Sequence, residues 1–325
     1  MKQKDSEEKE ESLLVELRPR DLSSYIGQDQ LKESLSIFIK AARLRGEPLE
    51  HVLLHGPPGL GKTTLAYILA NENEAEIKIS SGPAIERASD LISILTSLED
   101  GDILFIDEIH RLNKIVEEVL YPAMEDYAVD LVIGKGPSAK ILRVDLPKFT
   151  LIGATTRVSL ISPPMRDRFG IIQAIDYYSQ DEILEILKRS TKVFRVKADD
   201  LALNDIAQRA RRTPRVANRL LKRVRDFATV LNSGKLDQKS AQKAFSKMGI
   251  DDKGLDSSDR KYLKTLIDKF DSGPVGIETL SAATAIDRDT IEEVIEPYLM
   301  QIGFIKRTPK GRVATTLSES YIKGQ

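Results

Sequence analysis

Between an apolar run, Val52-Leu53-Leu54, and an apolar helical stretch, Leu65-Ala66-Tyr67-Ile68-Leu69-Ala70, the chain reads Gly56-Pro57-Pro58-Gly59-Leu60-Gly61-Lys62-Thr63-Thr64. The spacing G-x-x-x-x-G-K-[ST] is that of a phosphate-binding loop, and strand, loop, helix is the context such a loop needs. Gly59 and Gly61 let backbone N–H groups curl round a polyphosphate at the partly positive N-terminus of the next helix. Lys62 is then expected to reach the β- and γ-phosphates, and the Thr63 hydroxyl to ligate Mg²⁺, with Thr64 beside it in the nucleotide site. The bland alternative is a Gly-Pro turn. A chance match to the full pattern in a chain of 325 residues is on the order of one in a hundred.

A second signal lies downstream, in Ile103-Leu104-Phe105-Ile106-Asp107-Glu108-Ile109-His110. Consecutive apolar residues fit a strand buried on both faces of a parallel sheet. Two acids at its C-terminal edge fall where open α/β sheets hold ligands. Asp107 is expected to hold Mg²⁺ through water and Glu108 to orient the water that attacks the γ-phosphate. Phe149-Thr150-Leu151-Ile152-Gly153-Ala154-Thr155-Thr156 reads as another buried strand ending in hydroxyls, where Thr156 either senses γ-phosphate or serves only as a cap.

Composition narrows the alternatives. The chain has no cysteine and three histidines, which excludes disulfides and thiolate zinc and disfavours a His-rich metal site. No apolar run reaches the roughly 18–20 residues that span a bilayer, and the N-terminus lacks an apolar signal segment. Residues 1–11 read as a charged, disordered tail, and the expected location is cytoplasmic. The 49 Lys+Arg against 50 Asp+Glu leave a net charge of −1, which argues against a uniformly basic nucleic-acid binder. Basic residues cluster instead, in the run Arg209, Arg211, Arg212, Arg215, Arg219, Lys222, Arg223 and Arg225, and again at Lys306, Arg307, Lys310 and Arg312. Such runs most often mark solvated helix faces.

Between the strands, Tyr25-Ile26-Gly27-Gln28 is a glycine turn before an amphipathic helix, or an apolar slot for a purine ring. Ile115, Val116, Val119 and Leu120, at helical spacing before Pro122, predict a helix. Val129 to Val144, with Gly134-Lys135-Gly136-Pro137 at its centre, reads as a hairpin. Val132, Ile133, Ile141 and Leu142 put apolar groups on both of its faces, so it docks a partner or packs on its own domain. In Ser162-Pro163-Pro164-Met165-Arg166-Asp167-Arg168-Phe169-Gly170, an arginine is placed either to stabilise transition-state charge or to form a surface pair with Asp167.

From Ser179 the pattern is helical, with Tyr177-Tyr178 at the hinge, where a ring is placed to cover an adenine. Thr213 as N-cap and Pro214 at the first helical position set Arg215 in the first turn of a long core helix. After the linker Gly249 to Gly254 come three short helices and the strand-turn-strand Phe304 to Thr316, a winged-helix pattern. Its third helix carries Asp287, Asp289, Glu292, Glu293 and Glu296, a poor match to a DNA groove. Arg307 and Arg312, with Lys306 and Lys310, are therefore the expected contacts to DNA backbone, without sequence specificity.

Together these segments resemble the AAA+ ATPase family, most closely its Holliday-junction branch-migration motors. The likeness rests on the phosphate loop, Phe105 to Leu112, Leu120 to Tyr127, Gly153 to Arg157, Arg166 to Gly170, Thr213 to Leu221 and Gly303 to Arg312. It implies an α/β fold: a large P-loop AAA+ domain over 1–178, a small helical lid over 179–249 and a winged-helix head over 252–325. It implies sensor roles for Thr156 and for Arg215 with Pro214, and a trans-acting arginine finger at Arg168. Leu17, Arg18, Tyr25, Ile26, Tyr178 and the stretch Glu125-Asp126-Tyr127 join the nucleotide site, which takes ATP or ADP with Mg²⁺. The hairpin at 127–146 is expected to dock on the junction-recognising partner RuvA. The resemblance further implies a homohexameric ring on duplex DNA, cooperation with the resolvase RuvC, and a part in recombination, repair and the SOS response to DNA damage. A clamp-loader subunit and a nucleotide-switched DNA scaffold are the alternatives.

Overall fold

The computed structural model describes residues 17–133 and 140–324. The charged N-terminal tail and the hairpin turn at 134–139 lie outside the described residues, as do the side chains of Val132 and Ile133. The chain divides into two compact units that meet between Tyr177 and Tyr178.

In the first unit, helix α1 (Asp29–Arg45) precedes β1 (Val52–His55), and the phosphate loop leads from β1 into α2 (Lys62–Glu72). There follow β2 (Ile77–Ser81), α3 (Ala88–Leu95), β3 (Ile103–Asp107), α4 (Lys114–Glu125), the hairpin strands β4 (Ala128–Ile133) and β5 (Lys140–Asp145), then β6 (Thr150–Thr155), α5 (Pro163–Arg166) and β7 (Ile171–Ala174). The main sheet is parallel, in the order β2-β3-β6-β1-β7. Every residue of β6 is buried, as are the first four of β3, which is why these strands read as unbroken apolar runs. Leu104, Ile106, Leu151, Val116, Leu120 and Phe149 belong to one core cluster between the sheet and α4. That packing carries α4 through Pro122 to Glu125, because burial of Ala123 and Met124 outweighs the one backbone bond that proline forfeits. His51 ties the layers together: its Nδ1 accepts the Leu151 N–H at 2.9 Å and its Nε2 donates to the Met124 carbonyl at 2.9 Å. Burial holds its imidazole below the usual range, in the neutral form this bonding needs.

The hairpin is buried at one end and exposed on β5. Its base packs at home, with Val129 and Leu146 in the core, while on β5 Ile141 is 73% and Leu142 48% exposed.

The second unit begins with α6 (Gln180–Val193), started by a capping box between Ser179 and Glu182. β8 (Lys197–Ala198), α7 (Asp200–Arg209), α8 (Pro214–Leu231), β9 (Lys235–Leu236) and α9 (Gln238–Met248) complete the helical part. The winged helix comprises α10 (Ser257–Lys264), α11 (Ile277–Thr284), α12 (Arg288–Thr290) running through a π-turn into α13 (Glu296–Gln301), and the hairpin β10 (Ile305–Thr308) and β11 (Gly311–Ala314). A closing helix, α14 (Thr316–Lys323), had no sequence expectation; Tyr321 on it packs against Phe304 at 5.0 Å.

The winged helix holds a buried charge cluster that includes an acid of its third helix and Arg312 of the wing. Glu296, fully buried, accepts from the Tyr262 hydroxyl at 2.9 Å, Arg307 Nε at 2.8 Å and Arg312 Nε at 2.8 Å. Arg312 also pairs with Glu292 at 3.2 Å. The acids of the third helix are thus partly turned inward, and the Arg312 guanidinium is held by carboxylates rather than presented to solvent. Replacing Glu296 by Ala should strand two guanidinium groups and destabilise the second unit by roughly 3–5 kcal/mol. Urea unfolding of the full chain, followed by hydrogen exchange in α10 and β10, measures it.

Candidate active site

The sheet order decides what meets at its C-terminal edge. β6 lies between β1 and β3, with His55 in register with Thr155 and Ile106 with Gly153. The loop after β1, the acids ending β3 and Thr156 after β6 are therefore neighbours, although nearly a hundred residues separate the first from the last. The Gly56 N–H donates to the Thr155 carbonyl at 3.2 Å and pins the start of the phosphate loop to β6.

Lys62, the first residue of α2, is 8% exposed. Its Nζ donates to the carbonyls of Gly56 at 2.8 Å and Pro57 at 2.9 Å, so the ammonium folds back over the loop. Burial pushes its pKa down to about 8, against the pull of the Asp107 charge. Gly59 and Gly61 have φ of 78° and 106°, the left-handed conformations a phosphate-cradling loop requires. Thr63 and Thr64 follow in the first turn of α2, half-buried.

At the end of β3, an Asp107 carboxylate oxygen accepts the N–H of Glu108 at 2.9 Å. Glu108 adopts φ 48°, ψ 43°, a left-handed conformation that costs a non-glycine residue on the order of 1 kcal/mol. Gly82 helps to hold it there: a Cβ on Gly82 would lie 2.4 Å from the Glu108 carbonyl oxygen, so only glycine lets the two backbones meet. The Glu108 carboxylate pairs with Arg111 at 2.9 Å. His110 Nδ1 and the buried Thr155 hydroxyl lie 2.9 Å apart, joining the turn after β3 to the end of β6 and hence to Thr156.

The N-terminal segment lies along α2. Arg18 stacks over the Tyr67 ring at 4.5 Å, Leu17 is half-buried beside it in sequence, and the Leu22 N–H reaches Glu72 at 3.1 Å. Tyr25 is buried with its hydroxyl 3.4 Å from the Leu60 carbonyl, against the phosphate loop, and Ile26 follows it half-buried. Gln28 is bonded to both the carbonyl and the N–H of Asp176.

Arg168 is paired across the chain with Glu125 at 2.8 Å rather than with its neighbour Asp167. Its other partners are the Pro164 carbonyl at 2.8 Å and the Tyr121 ring at 4.5 Å. This supplies a physical role for the Glu125-Asp126-Tyr127 stretch: Glu125 holds Arg168, Asp126 holds Arg143 at 2.7 Å, and Tyr127 turns the chain at φ 51° into β4. None of these pairings had a local sequence signal, since their partners lie far along the chain.

Tyr178, Pro214 and Arg215 belong to the second unit. Tyr178 is buried and exchanges bonds with Arg212; Pro214 opens α8 with Arg215 exposed in its first turn. Thr213 is the N-cap by position, but its hydroxyl donates to the Arg211 carbonyl at 2.9 Å and accepts no N–H of the helix. The solvated-face reading of the basic run fails at its start. Arg209 is buried on Asp205 and Asp252, and Arg211 is bonded to Asp259 at 2.5 Å. One signal existed: Arg209 falls at core spacing behind Ala202 and Ile206 on α7. On the wing, Lys306 and Lys310 are exposed, the Arg307 side chain is 43% exposed, and that of Arg312 only 13%.

Three family models match the chain in succession: the Holliday junction DNA helicase RuvB P-loop domain over residues 17–175, the RuvB AAA lid domain over 178–251 and the RuvB C-terminal winged helix domain over 252–323. Among solved structures, a point variant of Thermotoga maritima RuvB is 48% identical, with a TM-score of 0.88 over 94% of this chain and 98% of its own. The structure described as the Thermotoga maritima RuvB Holliday junction branch migration motor matches at 48% identity and a TM-score of 0.86, with the same coverage.

A consequence for pH follows from Lys62. A neutral amine has no charge to offer a polyphosphate, and a bound phosphate favours the protonated form. Nucleotide affinity should therefore fall as pH rises through about 8, by at most about tenfold per unit. Titration of a fluorescent ADP analogue between about pH 7 and about pH 9.5 measures it, and Lys62→Arg should flatten the profile.

Proposed function

The chain belongs to the RuvB family of Holliday-junction DNA helicases, P-loop AAA+ ATPases that drive branch migration, and on that premise we propose how its residues divide the work. Lys62 leaves its two carbonyl partners for the β- and γ-phosphates, cradled by Gly59, Gly61 and Thr64. Thr63 and Asp107 offer hard oxygen donors that fit Mg²⁺ arriving with the nucleotide, where the ion would neutralise charge between the β- and γ-phosphates. Glu108 orients the attacking water and Thr156 senses the γ-phosphate. Leu17, Arg18, Tyr25 and Ile26 contact the base and ribose, and Tyr178 is the corresponding nucleotide contact proposed for the second unit. Pro214 presents Arg215 as the sensor on the lid, residues 179–249, between the large domain over 1–178 and the winged-helix head over 252–325.

Arg168 acts on the nucleotide of a neighbouring subunit in a homohexameric ring. In its own chain its partners are Glu125, the Pro164 carbonyl and Tyr121, none of them part of the phosphate loop or the β3 acids. The exposed Ile141 and Leu142 of β5 suit docking on a junction-recognising partner of the RuvA type, ahead of a RuvC-type resolvase. On the head, Lys306, Lys310 and the exposed part of Arg307 contact DNA phosphates, while Arg312 braces the wing from within. The observation that carries the reading is the meeting of Lys62, Asp107, Glu108 and Thr156 at one sheet edge, in a chain that also bears a basic wing.

The decisive experiment is dissociation of a synthetic four-way junction. It should require this protein, a RuvA-type partner and hydrolysable ATP; ATP turnover without junction movement would overturn the motor reading. Glu108→Gln chains mixed into wild-type rings should suppress activity beyond their mole fraction, whereas independent subunits would lose it in proportion. Replacing Lys306 and Lys310 together by Ala should weaken duplex binding on all sequences and lower its log–log salt slope by about 2 at most, read from binding isotherms at several salt concentrations.

A further inference from the structure

The geometry points to residues 209–215 as the element that transmits the nucleotide state to the DNA-contacting wing, with Arg211 as its positioning residue. This rests on the reading of Arg215 as the lid's γ-phosphate sensor. The segment joins α7 to α8 in seven residues, and each part of it is bonded to a different piece of the second unit.

At its start, Arg209 is 7% exposed. It pairs with Asp205 on its own helix and with Asp252 in the linker to the winged helix, and lies over the Phe245 ring of α9 at 4.6 Å. Backbones meet here as well: a Cβ on Gly254, whose φ is +75°, would fall 2.5 Å from the Arg209 carbonyl oxygen. No side chain fits between lid and linker at this point.

Arg211 reaches furthest. Its Nε donates to the Gly254 carbonyl at 2.9 Å, and its guanidinium meets Asp259 at 2.5 Å and Asp256 at 3.5 Å. The Tyr298 ring of α13 lies 5.2 Å from it, and the Tyr298 hydroxyl donates back to the linker at the Lys253 carbonyl, 2.6 Å away. One guanidinium thus touches the linker, the first helix of the winged helix and the third. Asp259 is 1% exposed and also accepts the Asp256 N–H at 2.8 Å, within the capping box that starts α10. Burial pushes the Asp259 carboxyl up to about 6 against the lowering effect of Arg211, as expected of a desolvated acid that stays ionised at neutral pH through its cation.

The far end of the segment turns towards the nucleotide reader. Arg211 and Arg212 sit at φ 52° and 54°, two consecutive left-handed residues that only surrounding bonds sustain. Arg212 exchanges bonds with Tyr178, its Nε donating to the Tyr178 carbonyl at 2.8 Å and its carbonyl accepting the Tyr178 N–H at 3.1 Å. The Thr213 hydroxyl donates to the Arg211 carbonyl, and α8 then begins, with Arg215 in its first turn. A second clamp runs in parallel, where Arg260 of α10 donates to the Gly249 carbonyl at 2.7 Å and the Leu255 carbonyl at 2.8 Å. Any rotation that Arg215 imposes on the start of α8 therefore passes to the winged helix through bonded groups, with Arg209 and Asp259 buried among them, and not through a slack linker.

The test separates coupling from catalysis. Arg211→Lys keeps the charge that Asp259 needs but cannot serve Gly254, Asp256 and Asp259 as one planar fork. In full-length chain with a RuvA-type partner and a four-way junction, the variant should hydrolyse ATP within about twofold of wild type. It should dissociate on the order of tenfold fewer junctions per ATP consumed. Asp259→Asn, a near-isosteric change, should behave alike, with hydrogen exchange reporting that the winged helix stays folded. Turnover and junction movement falling in parallel, or neither changing, would overturn the proposal. The premise is tested apart from it: Arg215→Ala should lower ATP turnover itself, and unchanged turnover there would remove the sensor reading whatever Arg211→Lys does.

Discussion

The N–H of Gly56 donates to the carbonyl of Thr155 at the point where the phosphate loop leaves β1 beside β6. That bond exists because β6, though late in the chain, inserts between β1 and β3 in the parallel sheet. The insertion carries the rest of the site with it. It brings the Thr155 hydroxyl to His110, so the turn that holds Glu108 and the strand that presents Thr156 become one unit. It also completes a floor in which every β6 residue is buried, and a dry floor makes the charge of Lys62 count for more than it would in water.

The two units handle charge by opposite means. At the sheet edge, charged groups are held ready: Lys62 on loop carbonyls, Glu108 on Arg111, Arg168 on Glu125. The partners of Lys62 are neutral carbonyls, and the pairings of Glu108 and Arg168 are partly solvated, so each can be exchanged without leaving a buried charge uncompensated. In the second unit two ion-pair clusters are buried. Glu296 is enclosed by Tyr262, Arg307 and Arg312, and Asp259 by Arg211, and to break either leaves a charge in a desolvated site. Exchangeable pairs suit a reaction centre, and buried ones suit a part that must move without deforming.

The basic clusters show how far local reading reaches. Arg215 was legible because a Thr-Pro-Arg helix start is a property of three adjacent residues. Arg211 and Arg312 were not, and Arg209 only through its core spacing on α7: it is their distant partners Asp259, Glu296 and Asp252 that take them out of solvent. Likewise Arg168 stood next to Asp167 in sequence, yet it is Glu125, forty-three residues earlier, that holds it. The hairpin between them was recognisable as a ribbon from two β-rich arms around Gly134-Lys135-Gly136-Pro137. That its base is buried and its β5 face exposed depended on where the core ended.

Sequence by itself determined the phosphate loop, the acidic strand end, the helix start at Thr213 and the sequence of large, helical and winged parts, because turn chemistry, capping and hydrophobic period are set by residues within a few positions of one another. Tertiary structure alone decided which strands are neighbours, that Gly82 must be bare for Glu108 to take its left-handed turn, and which arginines face water and which hold the molecule together. These depend on contacts between residues tens of positions apart. A charge's environment is set by what folding brings to it, and its neighbours along the chain do not encode that.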